Sequence, residues 1–280
     1  MVVCFWRMRL TNQIHEGCTS GEAGCTDRIP ALSRITELAR VAGTAVFAVM
    51  VCFPMLLAAR PKTPLRVFCI AAFEYLARLP GGTLGRRRRL AMAHACDFGS
   101  LRDDYYDHQR LDATEYRSLR CKLRRMAPEA ATSRYIQQLR QAERSRPILA
   151  VSTPGVADAV IAYRTWVIDL SLLWLQEISG LSVEPVKFHA LLGVAGLMQL
   201  ADDLLDWKDD QAVRRPSYVT AFLLDRPLIA VAMPLRAQAD ALLQRTVGAA
   251  RQDDGAVPFA VAGLLTWTFV IALLRLRFPQ

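Results

Sequence analysis

The chain is expected to fold as an all-α protein, and three features of its 280 residues predict this. Long apolar or amphipathic segments of helical period follow one another, separated by breaks that carry Pro or Gly. No alternating strand pattern of any length occurs, and no repeat of fixed period. Hydrophobic residues make up 52% and charged ones 22%, the balance of an ordered chain that buries a sizeable core.

Residues 1–29 are turn-rich and polar after a short apolar start and are expected to form a loose arm. Residues 30–280 read as one domain of about ten helices. Asp27 or Ser33 can cap a helix beginning around Pro30–Leu32, and the apolar run after it ends at Arg60-Pro61. A second helix is predicted over Leu65–Leu79, closed by Pro80-Gly81-Gly82. The third starts near Leu84, passes through Arg86–Arg89 as a solvated beginning, and carries Asp103–Asp107 near its C-terminal end. Leu111–Met126 is amphipathic and basic, and Pro128 interrupts it. Ser133–Arg144 is a polar-rich helix, and Pro147 to Pro154 form a break. Val156–Ile178 embeds Arg164 and Asp169 among apolar and aromatic residues, Ser179-Gly180 ends it, and Pro185 falls in the first turn of the next helix. After Asp210 a charged turn, Gln211–Ser217, leads to helices over Tyr218–Leu224, Pro227–Val247 and Phe259–Arg277.

Composition narrows the chemistry. Four His and no Cys-x-x-Cys pair argue against structural zinc, and seven scattered Cys with no secretion signal at the start fit a reducing, cytoplasmic interior. No GxxxxGK[ST] loop, no GxGxxG after a strand and no nucleophile–His setting is present, which sets aside nucleotide-dependent and hydrolase readings. The formal net charge of +9 attracts anions, but no nucleic-acid-binding spacing accompanies it, so no nucleic-acid partner is expected. Val41–Ala59 and Ala256–Leu274 approach bilayer-spanning length. Both contain Pro, and buried helices of an all-α domain are the preferred reading, with peripheral membrane association retained as an alternative.

The residues that point to chemistry form two acidic clusters. In Gln199–Asp210, Asp202, Asp206 and Asp210 recur every four residues and share one helical face, with Asp203 and Asp209 beside them. About a hundred residues earlier Asp103-Asp104-Tyr105-Tyr106-Asp107 repeats the pattern, with Asp112 beyond it. Carboxylates stacked on one face repel one another, and late in a helix they also oppose its dipole. Helix formation does not ask for them there, whereas Mg²⁺ held by carboxylates, water and substrate phosphates does. Arg164, Lys208, Arg214 and Arg215 are the nearest cations that can neutralise the rest of a diphosphate. Phe98, Tyr105, Tyr106, Phe188 and Trp207 lie near the clusters and read first as core, second as ring faces for a cation, and Cys96 and Phe98 are candidates for a cavity floor.

On these residues the chain resembles the class I isoprenoid synthase superfamily: polyprenyl diphosphate synthases, squalene/phytoene synthases and terpene cyclases. Asp103-Asp104-x-x-Asp107 resembles the first aspartate-rich motif, and Gln199-Leu-Ala-Asp202-Asp203-Leu-Leu-Asp206 the second. Continued through Asp209-Asp210 to Arg215 and Tyr218, the same segment is similar to the second squalene/phytoene motif. Asp202, Asp206 and Asp210 also occupy the places of the cyclase metal triad, and Arg277-Phe278 resembles its C-terminal Arg-Tyr pair. The resemblance implies a helical bundle around a central apolar cavity. It implies Asp103, Asp104, Asp107, Asp202, Asp203, Asp206 and Asp210 as ligands of three Mg²⁺, with Asp103, Asp107, Asp202 and Asp206 catalytic. Arg164, Lys208, Arg214, Arg215 and Arg277 would bind the diphosphate of an allylic prenyl substrate, and a homodimer is the common assembly. Two departures stand out: Gly81-Gly82 has no adjacent Lys, and Asp107 is followed by His108-Gln109-Arg110 instead of an Arg pair. Isopentenyl diphosphate is therefore not expected as the second substrate, which leaves prenyl transfer to another small-molecule acceptor. A terpene cyclase is the alternative, followed by a membrane-embedded prenyltransferase and a helical scaffold.

Overall fold

The computed structural model describes residues 63–108, 111–149, 155–224 and 226–278. The chain divides into two units, Met1–Arg40 and Val41–Gln280, and only the second contains described residues. The predicted arm, the first predicted helix and the apolar stretch Val41–Ala59 lie outside the described residues. Within them the protein is all-α, with no strand.

In chain order the helices are α1 (Thr63–Arg78), α2 (Arg86–His108), α3 (Ala113–Met126), α4 (Glu129–Arg144), α5 (Val156–Ser179), α6 (Pro185–Ala212), α7 (Tyr218–Leu223), α8 (Ala232–Gln252) and α9 (Val257–Arg277). Short 3₁₀ turns at Leu228–Ala230 and Asp254–Ala256 precede the last two. Proline explains the two largest differences in where helices start. A helix begun at Pro227 would put Pro234 in its interior, where the ring clashes with the carbonyl four residues back. The chain instead makes a 3₁₀ turn and starts α8 at Ala232, so that Pro234 falls in the first turn. Pro128 likewise takes the N-cap position of α4, which starts one turn earlier than its polar pattern suggests. Asp112 belongs to no acid cluster: its carboxylate caps α3, accepting from Thr114 N at 2.8 Å and Glu115 N at 3.0 Å.

Two apolar cores meet along α6. The first half of α6 joins α1 to α5 through Phe73, Met92, Leu123, Trp174 and Leu191, and the second half joins α7, α8 and α9 through Leu200, Leu204, Tyr218, Leu235 and Val270. Close approach to α8 requires glycine in α6. A Cβ on Gly193 would lie 2.7 Å from Thr246 Cγ2 and 2.9 Å from the Leu242 carbonyl oxygen, and one on Gly196 2.7 Å from Leu242 Cδ2. Gly193→Ala is expected to lower unfolding stability by about 1–3 kcal/mol despite alanine's better helix propensity, because backbone must move. Urea denaturation checks this, and an unchanged midpoint would show that the two helices have room to part.

By length and composition Pro185–Ala212 and Asp254–Arg277 are each apolar enough to cross a membrane. The first is the central helix of the fold. The second packs one side on α6 and α8 and leaves Leu265, Phe269 and Leu276 exposed on the other.

Candidate functional site

α2 and α6 each turn an acidic face toward one small cleft, and α5, packed on both, closes its back. Its lining is Asp103 and Asp107 from α2, Arg164 from α5, Gln199, Asp202, Asp203, Asp206 and Asp210 from α6, and Arg215 from the turn after α6. The i, i+4 spacing of Asp103 with Asp107 and of Asp202, Asp206 and Asp210 places them on common faces. The apolar positions between the acids of α6, Leu200, Leu204 and Trp207, are buried in the core on its other side. The cleft encloses about 30 Å³, room for an ion and a water or two.

Arg215 reaches the cleft because of how α6 ends. Arg214 adopts the left-handed region (φ 53°), so the Arg215 N–H turns back to the Asp210 carbonyl at 2.8 Å and the Arg214 N–H to that of Gln211 at 3.2 Å. This paired-bond terminus folds the Arg215 side chain over the end of the helix. Its guanidinium then lies 3.0 Å from Asp210 Oδ1 and 3.2 Å from Asp107 Oδ2, linking the two acidic faces.

Besides Asp210 with its Arg215 pair, two of the carboxylates have structural partners. Asp203, 2% exposed, accepts from Gln199 Nε2 at 2.8 Å and from the Tyr218 N–H at 2.7 Å, with Arg164 Nη2 at 3.5 Å. It ties α6 to the start of α7 and to α5. Asp107 pairs with Arg146 Nη2 at 2.7 Å as well as with Arg215. Arg146 comes from the turn after α4 and also meets Glu143, which accepts from Tyr163 Oη at 2.7 Å. Nothing in the spacing of Arg146 marks it in the sequence, since it sits in a Pro-flanked break and joins Asp107 only through the packing of α4 and α5.

The remaining acids are under electrostatic load. Crowding by protein atoms and then the Asp107 charge push Asp103 up to about 7, although Asp103 keeps solvent access at the mouth, which moderates the effect of burial. Crowding by protein atoms, then Asp203 and Asp206, raise Asp202 to about 6, an effect that its solvent access at the cleft moderates. Burial and Asp203 raise Asp210 to about 6 against the pull of Arg215. Burial disfavours the charge on Arg164, but Asp203 and Asp103 outweigh it and hold that guanidinium more firmly protonated than usual.

Among the described residues no three His, Cys, Asp or Glu side chains close on a point tightly enough to enclose a metal ion. The donor set nonetheless fits Mg²⁺, which takes one or two carboxylates and completes its shell with water and phosphate oxygens. Asp103, Asp202 and Asp206 are solvent-accessible at the cleft, and Asp210 Oδ1 is buried with an ionic contact to Arg215 but no directed hydrogen bond.

The other expected site residues lie elsewhere. Asp104, Lys208, Arg214 and Arg277 are outside the cleft lining; Lys208 sits 5.7 Å over the Trp207 ring, and Arg277 is exposed at the end of α9. Phe98 is fully buried between Tyr116 and Trp174, and Trp207 packs on Phe278 with ring centroids 5.7 Å apart. Tyr105 and Tyr106 pack on each other and on Arg102. Phe98 and Trp207 serve packing between helices, and Tyr105 and Tyr106 packing along α2. The cleft lining is wholly polar. A second concavity of about 550 Å³, floored by Ile161, Trp166 and Leu192, is open and runs along another side of α5. Neither is the enclosed apolar chamber expected beside the carboxylates. Compared with protein-family models, curated proteins and solved structures, the chain matches none of them, which leaves the cleft itself as the guide to its chemistry.

Proposed function

We propose that the chain is a Mg²⁺-dependent enzyme that ionises an allylic prenyl diphosphate and transfers the prenyl group to a small-molecule acceptor, releasing diphosphate. The observation that carries this reading is the meeting of the Asp103/Asp107 and Asp202/Asp206/Asp210 faces in one cleft with Arg164 and Arg215 between them. Such an assembly repels itself unless cations enter, and it offers oxygen ligands together with guanidinium donors, the pair of chemistries a metal–diphosphate complex needs.

Asp103, Asp202, Asp206 and Asp210 would hold the ions, and Asp107 would join them once released by Arg146 and Arg215. Bound Mg²⁺ supplies charge neutralisation that makes diphosphate a good leaving group. Arg146 pairs with Asp107, and Arg215 with both Asp107 and Asp210. With ions on those carboxylates the two guanidiniums could donate to diphosphate oxygens, while Arg164 would remain at the back of the cleft, anchored by Asp203. A space of about 30 Å³ must widen for even one diphosphate. The same meeting of acidic faces supports a second reading, a class I terpene cyclase in which the prenyl chain is its own acceptor.

The test is diphosphate release by the purified full chain from C10 to C20 allylic diphosphates, with Mg²⁺ and then with excess chelator. Release with Mg²⁺ and its loss with chelator is the expected result. No release at any chain length would end the enzyme reading. Hydrocarbon products without an acceptor would select the cyclase.

A further inference from the structure

We propose that the end of the α2–α3 pair remote from the cleft is a docking surface for anionic lipid head groups on a bilayer. α2 begins Arg86-Arg87-Arg88-Arg89, and the neighbouring α3 ends with Lys122, Arg124 and Arg125. The two helices run antiparallel, and the Arg87 guanidinium donates to the Arg125 carbonyl, so both clusters share one end of the bundle. Arg86, Arg87, Arg88, Lys122 and Arg125 are exposed, and among the described residues no carboxylate pairs with any of them. The nearby acids are already taken: Glu74 serves Arg78 and Arg89, and Glu129 serves Arg124 at 2.7 Å.

This charge does not belong to the cleft. At about 1.5 Å per residue, Arg86 lies about 25 Å along α2 from Asp103, too far to touch a diphosphate held there. Packing does not account for it either, because like charges crowded at a helix start repel one another and find no acidic first turn to offset them. An extended anionic surface would offset all of them at once. Leu90, 43% exposed one turn beyond Arg86, adds an apolar contact suited to the head-group boundary. None of the patch's exposed residues is aromatic, so the stacking platform of a single-strand nucleic-acid binder is missing from it. The inference stands apart from the chemistry of the cleft, although a prenyl diphosphate, whose tail partitions into bilayers, would be more concentrated at such a surface.

The experiment is co-sedimentation of the full chain with vesicles of phosphatidylcholine alone and of phosphatidylcholine with phosphatidylserine. Each basic residue near such a surface contributes about fivefold to partitioning. Arg86→Gln/Arg87→Gln/Arg88→Gln is therefore expected to weaken binding to the anionic vesicles by about 100-fold, and Lys122→Gln/Arg125→Gln by about 25-fold. Raising salt from about 0.1 M to about 0.5 M should weaken wild-type binding as well. Circular dichroism confirms that each variant folds, and the α3 variant decides the matter should the α2 variant not fold. Equal partitioning onto both vesicle types, unchanged binding by a folded variant, or preference for duplex or single-stranded nucleic acid over anionic vesicles would overturn the proposal.

Discussion

Asp202→Asn is expected to cut the proposed Mg²⁺-dependent diphosphate release by at least about 100-fold while making the protein without added metal more resistant to heat above neutral pH. Loss of function and gain of stability share one cause. Crowding by protein atoms, moderated by the solvent access Asp202 keeps at the cleft, and then the neighbouring Asp203 and Asp206 raise Asp202 to about 6, so the fold resists ionising it. The unfolded chain gives up this proton near pH 4, before the folded one does. Wild-type stability therefore falls as pH rises from about 4 through about 6, and the penalty is complete above that. Asn carries no such penalty, so the variant's advantage in melting temperature should be absent near pH 4 and greatest above pH 7. Glu74, which burial pushes up but Arg89 and Arg78 hold lower overall, and Asp253, held down by Lys187, act in the opposite sense, mainly below the usual carboxylate range. Saturating Mg²⁺ with diphosphate should shrink the difference, because ions satisfy the wild-type carboxylate and not the amide. A variant that melts below wild type at pH 8 would mean that Asp202 is a stabilising partner and not a ligand in waiting.

Arg164→Ala should have the largest effect on folding. The Arg164 side chain is 12% exposed and lies between Asp203 behind it and Asp103 and Asp107 in front. Removing the guanidinium leaves Asp203 buried with only neutral donors, Gln199 and the Tyr218 N–H. Breaking one partner from a buried pair costs about 3–5 kcal/mol, equivalent to roughly 6–20 °C in melting temperature for a domain of this size. Arg164→Lys keeps the charge without the planar fork and should fall between the two. Differential scanning calorimetry distinguishes them. A melting temperature unchanged in Arg164→Ala would show that the cleft, not the core, sets the demand for this cation.

Arg164 also shows how much of the site the sequence could reveal. As an arginine isolated in an apolar helix it stands out in the sequence as a candidate anion partner; that its nearest anion is Asp203 is a fact of the packing. The two acidic faces could be read from period alone, because side chains four apart on a helix share a side whatever the helix packs against. Period does not show that Asp112 caps α3; that is carried by a different local signal, an Asp directly before the helix with Glu115 three residues on. Nor does period show that Lys208 rests over Trp207, away from the cleft, while Arg215 folds back over the end of α6. Arg146 was invisible, since its contact with Asp107 crosses from the α4–α5 turn to the end of α2.

The sequence by itself determined the all-helical make-up of the described residues, most of their helix limits and the two carboxylate faces. Each follows from interactions within a few residues: helical period, the missing N–H of proline, and the repulsion of neighbouring charges. The tertiary structure alone decided which of those carboxylates are enclosed, which guanidiniums stand between them, and that the cleft they line is small and polar. Those outcomes depend on where α5 and the turn after α6 come to rest against α2, and such long-range packing leaves no periodic mark in the order of residues.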